Sequence, residues 1–232
     1  YHSITKDKTV RPFAESLFLG PEQKNTTEEI IEIAKKYGAS GVFEGQYSED
    51  AVKLILKGNI VTLFQSKCEN GPRALGNRSI LYDPRTMDGK DYVNSVKHRE
   101  YFRPFAGSIL AEHADDWFDM RGMEESPHMM YAMNCKEGVA EQIPAIIHVD
   151  GTCRIQTVTK EQNEIFYEMI DQFYKETGVP VLFNTSFNLG GEPLVETIDD
   201  AIRTLANSDI EYLYIPDNDL IIEVKNKEKQ ND

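Results

Sequence analysis

The chain has 232 residues, of which 40% are hydrophobic and 28% are charged, a composition typical of a globular protein with a substantial buried core. Its formal net charge is −14 at pH 7. This charge argues against general nucleic-acid binding, because a nucleic acid requires a long positive footprint and an acidic protein body repels it. No run approaches the roughly 20 apolar residues of a membrane helix, and no charged-then-apolar amino-terminal segment predicts secretion.

The cysteines and histidines predict neither disulfide bonds nor a metal site. The three cysteines, Cys68, Cys135 and Cys153, are too few and too scattered for a disulfide framework or a CxxC metal motif. The five histidines lack the HxxxH spacing. We therefore expect structural thiols, no metal held by this chain alone, and a reduced cytoplasmic location without membrane contact.

Apolar periodicity, caps and turn formers predict the secondary structure along the chain. The first half is expected to contain a strand at 17–19, a helix capped by Asn25 or Thr26 and stopped at Gly38, a helix from Ser48 to just before Gly58, a strand at 60–64, a turn at 83–85, a short helix at 92–97 and a strand at 105–110. The second half is expected to contain a strand at 145–149, a tight turn at 150–151, a returning hairpin strand at 153–158, a helix at 161–177, a strand at 179–183, a helix capped by Thr197, and strands at 212–215 and 220–224. The alternation of strands and helices favours a mixed α/β sheet.

Three segments fall outside this regular pattern. Residues 1–16 are polar and irregular and are interpreted as a linker, and residues 225–232 are interpreted as a disordered tail. Residues 111–143 are rich in methionine, show little periodicity and contain several turn formers. Because thioethers adapt to irregular shapes, this segment is either a flexible lid or acceptor wall, or a long excursion that packs on the core.

A basic island spans Lys67 to Arg103. This segment contains eight Lys or Arg residues and five carboxylates, so the island carries a net charge of +3 and the rest of the chain −17. Such an isolated island suits a small anion. Arg73 and Arg78 are suited to phosphate because the guanidinium fork donates bidentate hydrogen bonds and stays charged when desolvated. Gly71 and Gly76 could add backbone amides to an anion cradle. The alternative is a solvated or acid-paired loop, and the spacing does not match a P-loop.

The island begins directly after the predicted strand at 60–64, which is where open α/β sheets commonly place ligands. Two further sets of polar residues alternate along predicted strands, and alternation places them on one face. The first set is His148, Asp150, Thr152 and Arg154, and the second is Asn184, Ser186 and Asn188. The first set could position a small ligand or form only a turn with a structural histidine. The second set could contact a ligand or form only a polar strand end.

Several motifs in order resemble the O-carbamoyltransferases that decorate antibiotics and nodulation factors. The motifs are Gly71-Pro-Arg-Ala-Leu-Gly-Asn-Arg-Ser-Ile80, Phe102-Arg-Pro-Phe-Ala106, Ser126-Pro-His-Met129, His148-Val-Asp-Gly-Thr152, Gln156-Thr-Val158, Asn184-Thr-Ser-Phe-Asn188 and Gly191-Glu-Pro193. The resemblance covers residues 17–224 and implies a YrdC-like carboxy-terminal domain, with a mixed twisted sheet flanked by helices. It also implies that residues 1–16 lead from a missing amino-terminal ATPase-like transferase domain.

The resemblance implies a function for this domain. Carbamoyl phosphate and ATP, the latter with Mg²⁺, would react here to give carbamoyladenylate. The amino-terminal domain, where iron or another metal is expected, would pass the carbamoyl group to a hydroxyl acceptor. Catalysis would then depend on cations around phosphate groups more than on a protein nucleophile.

Carried onto this sequence, the family reading assigns three groups of site residues and no metal ligand. Arg73, Arg78, Lys97 and Arg103 are expected to be catalytic; Lys67, Arg99, His148, Asp150, Thr152 and Arg154 to bind substrate; and Asn184, Ser186 and Asn188 to bind the nucleotide, as in the Ser-x-Asn contact of YrdC-type domains. The chain departs from the family in having Ser66, Lys67 and Cys68 where Gly-Arg-Met is common, Asn70 where an aromatic is common, and Gly107 where proline is common. Lysine at 67 keeps the charge but loses the bidentate geometry.

Two other functions are considered. The chain could be a non-catalytic nucleotide- or anion-binding module that regulates its partner domain. It could also be an RNA-binding YrdC relative, but the net charge of −14 and the lack of a basic stripe interleaved with aromatic residues argue against RNA.

Overall fold

One open sheet of nine strands organises the chain. The computed structural model describes residues 18–225; the predicted linker and nearly all of the predicted tail lie outside this range. The strands are β1 (Gly41–Glu44), β2 (Val61–Phe64), β3 (Arg78–Tyr82), β4 (Ala106–Leu110), β5 (Tyr131–Asn134), β6 (Thr152–Val158), β7 (Val181–Ser186), β8 (Tyr212–Ile215) and β9 (Leu220–Glu223). The helices are α1 (Thr27–Lys36), α2 (Ser48–Leu56), α3 (Gly89–Val96), α4 (Ala114–Trp117), α5 (Glu164–Thr177) and α6 (Ile198–Ala206), with 3₁₀ turns at Ala111–His113, Pro144–Ile146 and Pro216–Asn218.

The strand order is β1-β9-β8-β2-β3-β7-β4-β6-β5. The β2/β8 and β4/β6 pairs are parallel and the others are antiparallel. The register pairs Phe64 with Arg78, Ser79 with Ser186, and Ala106 with Asn184. The carboxyl ends of β2 and β7 therefore meet the amino ends of β3, β4 and β6 at one edge of the sheet, here called the loop edge.

Helices cover the central strands. Every residue of β2, β3, β4 and β9 is buried, as expected when both faces of a sheet are covered. Helix α5 packs on α2 and lies against β4 and β7, while α6 packs on α1 and lies against β8. No helix among residues 18–225 combines the length and the hydropathy needed to cross a bilayer.

Helix boundaries follow the local chemistry predicted from the sequence. Thr26 caps α1 and forms a reciprocal capping box with Glu29, and Thr197 caps α6 in the same way with Asp200. Each box satisfies backbone N–H groups that the first helical turn leaves without partners. Gly178 ends α5 in the left-handed conformation, with φ of 75°.

The predicted hairpin of 145–149 with 153–158 is wrong. The 3₁₀ turn Pro144–Ile146 extends into the first segment, and none of residues 145–149 belongs to a strand. Strand β6 pairs instead with β4 and β5, and neither of these strands is the segment that directly precedes β6 in the chain. The turn at 150–151 is present, and Val149 at its tip is fully exposed.

Other differences concern short strands. Residues 18 and 19 are irregular, and the sequence patterns missed β1, β3 and β5. Strand β3 was missed because Arg78 and Ser79 begin it with polar residues and join it to the basic loop. In the methionine-rich segment, Phe118, Met120 and Met133 are buried in the main core, so this part packs as the core-packing interpretation states.

Candidate functional site

A polar groove of about 850 Å³ lies at the loop edge, beside the carboxyl end of β7. Its volume is in the range of small-molecule sites, which is roughly 300–1,000 Å³. The lining residues are Arg73, Ser95, Lys97, His98, Arg99, Glu100, Arg103, Ser186, Asn188, Leu189, Gly190 and Gly191. The structure thus brings together residues from the basic island and from the polar end of β7.

Lys97 is buried at the end of α3 with its ammonium group turned to the end of β7. Its Nζ donates to the backbone oxygen of Ser186 and, at 3.1 Å, to Oδ1 of Asn188. Burial holds the pKa of Lys97 well below its usual value, and the nearby charge of Arg99 lowers it further. Gly190 donates its N–H to the Lys97 carbonyl at 2.7 Å, and a Cβ there would lie 2.6 Å from the His98 oxygen, so the close approach requires glycine.

Arg99 is held in place by neutral groups. Its Nε donates to Oδ1 of Asn94 at 2.6 Å, Nη2 donates to the Pro104 oxygen at 3.3 Å, and the guanidinium lies 4.2 Å from the centre of the Phe105 ring. Burial, followed by the charges of Arg103 and Arg154, lowers the pKa of Arg99 to about 10. These contacts fix the orientation of Arg99 without neutralising its charge.

Arg73 and Arg154 add positive charge from two different segments. Arg73 is exposed and makes no hydrogen bond or ion pair with any residue between 18 and 225. Arg154 is half-buried, its Nε has no hydrogen-bond partner in the described part of the chain, and its pKa is lowered by burial and then by Arg73. Since cations that depress one another's pKa values repel, a bound anion would relieve this repulsion.

The only carboxylate that lines the groove in the described part of the chain is Glu100. Its Oε2 lies 2.7 Å from Nε of Arg103, and both side chains are exposed. Arg103 is therefore partly neutralised, whereas Lys97, Arg99, Arg73 and Arg154 have no acid at contact distance among residues 18–225. The groove has the electrostatic character of an anion site.

Arg78 does not line the groove. It is completely buried beneath the 65–77 loop, where Nη1 donates to the oxygens of Gln65 at 2.6 Å and Asn77 at 2.9 Å and Nη2 to that of Ser66 at 3.1 Å. The guanidinium also lies 3.6 Å from the centre of the Phe64 ring. Its predicted direct catalytic role thus has no geometric support, and Arg78 holds the loop that carries Arg73.

The backbone amides around Gly76 are directed at the chain itself, and the Gly76 N–H donates to Ser79 Oγ at 3.1 Å. Oε1 of the buried Glu69 accepts from the N–H groups of Leu75 and Asn77 at 2.8 Å and of Arg78 at 3.1 Å. Its Oε2 has no partner among the described residues. Sequence reasoning missed Glu69, for which the available signal was a single acid at the start of a Gly-Pro-Arg loop.

The three polar residues at the end of β7 separate into two positions. Ser186 and Asn188 lie in the groove and share a hydrogen bond of 2.7 Å from Oγ to Oδ1. Asn184 is buried below them, and its Nδ2 donates to the Ala74 oxygen at 3.2 Å and to Ser108 Oγ at 2.9 Å. Its Oδ1 has no partner among the described residues. Asn184 thus ties β7 to the Arg73 loop and does not line the groove.

His148, Asp150 and Thr152 lie together even though the predicted hairpin is absent. Thr152 Oγ1 donates to Asp150 Oδ1 at 2.7 Å and lies 3.2 Å from His148 Nδ1. His148 Nε2 lies 3.0 Å from the Phe105 oxygen, and since a carbonyl oxygen only accepts, Nε2 is the donor of this hydrogen bond. Hydrogen bonding to Thr152 lowers the pKa of Asp150. This cluster and the exposed Lys67 are not among the groove-lining residues.

Residues 18–225 contain no group of three or more His, Cys, Asp or Glu side chains arranged to hold a metal ion. The three cysteines are free thiols whose pKa values are raised mainly by burial, that of Cys135 to about 11. They lack the thiolate character of nucleophiles.

Comparison with known proteins identifies a family for this chain. Residues 52–222 match the family described as carbamoyltransferase C-terminus. The chain is 38% identical over 205 residues to nodulation protein NolO of Bradyrhizobium diazoefficiens, covering 86% of this chain and 37% of that protein. It is 43% identical over 167 residues to nodulation protein NolNO of Sinorhizobium fredii, covering 71% of this chain and 25% of that protein.

The fold resembles that of T. kodakarensis HypF, with a TM-score of 0.50 and 16% sequence identity over 72% of this chain and 21% of the HypF chain. The mixed YrdC-like sheet flanked by helices that the sequence predicted is thereby confirmed. The chain spans well under half the length of these relatives. With a family match over most of its length, the chain belongs to the carbamoyltransferase C-terminus family.

Proposed function

We propose that the groove binds carbamoyl phosphate and the triphosphate of ATP and that this domain forms carbamoyladenylate. The observation that carries the proposal is the convergence of four groove-lining cations, Arg73, Lys97, Arg99 and Arg103, with one lining carboxylate, Glu100. Arg154 is not a lining residue, but its charge acts on Arg99. Cations in a partly desolvated groove stabilise phosphate charge more strongly than cations in bulk water. The family membership of the chain favours a carbamoyl donor among phosphate ligands.

The proposed reaction consumes carbamoyl phosphate, ATP and water and releases phosphate and pyrophosphate. The bond between the carbamoyl oxygen and phosphorus breaks as water supplies an oxygen to the departing phosphate. The carbamate oxygen then bonds to the α-phosphorus of ATP while pyrophosphate leaves. Both steps move phosphoryl charge in line, so positioned cations can supply much of the barrier reduction.

Each part of the groove has a proposed task. Arg73, which makes no hydrogen bond or ion pair within residues 18–225, and Arg99, which is oriented by Asn94, would bind the phosphate oxygens. Ser186 and Asn188 would bind the nucleotide, and Lys97, hydrogen-bonded to both residues, lies where the two ligands would meet. Asn184 would act through the Ala74 carbonyl that it holds.

Magnesium would enter with ATP, held by the phosphate oxygens and water, because residues 18–225 provide no cluster of metal ligands. Transfer of the carbamoyl group to a hydroxyl acceptor, and any metal required for that transfer, would belong to an amino-terminal domain. The lengths of NolO and NolNO that this chain leaves uncovered are consistent with such a domain. His148, Asp150, Thr152 and Lys67 would contact substrate only at the margin of the site.

The experiment is to incubate the chain with carbamoyl phosphate, ATP and Mg²⁺ and to follow pyrophosphate release and carbamoyladenylate by mass spectrometry. Carbamoyl-phosphate-dependent formation of both products is expected, together with strong loss in Arg99→Ala and normal formation in Arg203→Ala. Arg203 is a matched control because it is exposed on α6 and paired with Asp200 at 2.6 Å. Saturable binding of both ligands without adenylate would contradict the proposal and favour the non-catalytic binding module.

A further inference from the structure

Two aromatic side chains are displayed on the segment that forms one side of the groove. Tyr101 and Phe102 are 75% and 66% exposed, and their ring centres lie 6.0 Å apart in an edge-to-face arrangement. Large aromatic side chains usually bury most of their surface, and exposed ones that cluster commonly mark binding sites. Their immediate neighbours Glu100 and Arg103 line the groove.

Hydrogen bonds hold the turn that exposes Tyr101 and Phe102. Asn94, only 1% exposed, donates from Nδ2 to the oxygens of Tyr101 and Arg103 at 3.1 Å each. Its Oδ1 accepts from the Arg99 side chain, so a single buried amide holds both the backbone at Tyr101 and Arg103 and the guanidinium of Arg99. The N–H of Arg103 also donates to the Glu100 oxygen at 3.1 Å, which closes a turn with Tyr101 and Phe102 at its tip.

From this arrangement we infer that the turn of residues 100–103 is a nucleobase subsite, in which the base of the nucleotide stacks on the Tyr101–Phe102 pair. The inference rests on the proposed function, which places the triphosphate against Arg99 and Lys97. A nucleobase presents a flat π face that stacks on aromatic rings and on guanidinium planes, and Arg103 is on the same turn. Since the backbone is already ordered, stacking requires no loop folding.

The position of the pair favours a base over an unrelated apolar ligand. A nucleoside triphosphate joins an aromatic base to a polyanion. On this turn Phe102 is adjacent to the groove-lining Arg103, and Tyr101 lies two residues after the groove-lining Arg99. Neither ring carries a pattern of donors and acceptors that would select one base. We therefore expect purine nucleotides to bind similarly and to bind more tightly than tripolyphosphate, which offers the charge without the base.

Calorimetry with ATP and with tripolyphosphate, each with Mg²⁺, separates the base from the phosphates. In the double variant Tyr101→Leu/Phe102→Leu, the Kd for ATP should rise by about five- to a hundredfold, while the Kd for tripolyphosphate should stay within about twofold. The swap variant Tyr101→Phe/Phe102→Tyr should keep the affinity for ATP. Because both rings are exposed, thermal unfolding should be unchanged in either variant.

Tyr47→Leu is the matched control, since Tyr47 is another exposed aromatic and borders a different cavity; its affinity for ATP should equal that of the wild type. An unchanged Kd for ATP in the double variant, or equal loss of ATP and tripolyphosphate, would overturn the subsite while leaving the proposed function intact. Failure of the wild-type chain to bind either ATP or tripolyphosphate would overturn the nucleotide half of the proposed function and the subsite with it.

Discussion

The two halves of the basic island use the same residue types in opposite ways. In the first half, Arg78 and Glu69 are buried and directed at the backbone of their own loop, with three hydrogen bonds to carbonyls and three from amide N–H groups. In the second half, Lys97 and Arg99 are held by neutral oxygens and by an aromatic ring. Arg78 and Glu69 are thus directed at their own loop, whereas Lys97 and Arg99 are oriented by neutral groups, without an acid at contact distance among residues 18–225.

This comparison shows how an anion site can be built in an acidic protein. Arg73 lies only a few residues from Arg78, yet it is exposed and unpaired within residues 18–225. The buried pair of side chains orders the loop, and the loop presents the free guanidinium to the groove. Anchoring and binding are thus assigned to different arginines of one motif.

The largest effect should come from breaking the anchored half. Arg78→Met should lower the free energy of unfolding by about 3–5 kcal/mol, because three carbonyl groups lose their donor and the buried Glu69 loses its nearest compensating charge. Chemical denaturation followed by circular dichroism measures this change. Arg73→Ala should change the same quantity by less than about 0.5 kcal/mol, and equal destabilisation by the two substitutions would contradict the division into two halves.

A smaller effect is expected from the pH dependence of Lys97. Its pKa in the folded state lies below the ordinary value of 10.5, so the unfolded chain binds a proton that the folded chain releases. The stability of the wild type relative to Lys97→Met should therefore fall as pH falls below 10.5, with a slope of up to about 1.4 kcal/mol per pH unit. Denaturation curves for both proteins at several alkaline pH values give this difference.

If the stability of the wild type relative to Lys97→Met did not change with pH below 10.5, Lys97 would keep its proton in the folded protein without a ligand. The same series in saturating phosphate provides a second check, since an anion beside Lys97 raises its pKa and should reduce the slope. Lys160→Met is a suitable control because Lys160 is exposed and paired with Glu164 at 3.3 Å. The stability of the wild type relative to Lys160→Met should not show the same dependence on pH.

Much of the fold could be predicted because its signals are local. Capping by Thr26 and Thr197, the Gly178 stop and the buried run before the basic island all depend on neighbouring residues. Strand pairing depends on distant partners, so no local pattern showed that β6 joins β4 in place of the segment before it. The polar start of β3 at Arg78 likewise hid a strand that the sheet buries completely.

The same limit applies to the site. Motif order predicted that Lys97, Arg99 and Arg103 would share a site with Ser186 and Asn188, and the structure brings these residues to one groove. The sequence could not distinguish Arg73 from Arg78 or Ser186 from Asn184, because only burial separates the member of each pair that faces the groove from the member that supports it. The role of Glu69 could not be predicted because its hydrogen-bond partners are backbone amides, which every residue type except proline provides.

If unpaired cations of the groove bind the phosphate of carbamoyl phosphate, loss of Arg73 should weaken binding without loss of structure, because Arg73 makes no hydrogen bond or ion pair with another residue of the described range 18–225. Titration calorimetry should show that Arg73→Ala weakens carbamoyl phosphate binding by about 1.5–3 kcal/mol, the value of one charge-assisted contact, while the surface control Arg203→Ala binds as the wild type does. Arg103→Ala should cause a smaller loss, because Glu100 already pairs with Arg103 at 2.7 Å. Unchanged affinity in Arg73→Ala, measured on a protein with wild-type stability, would contradict the account.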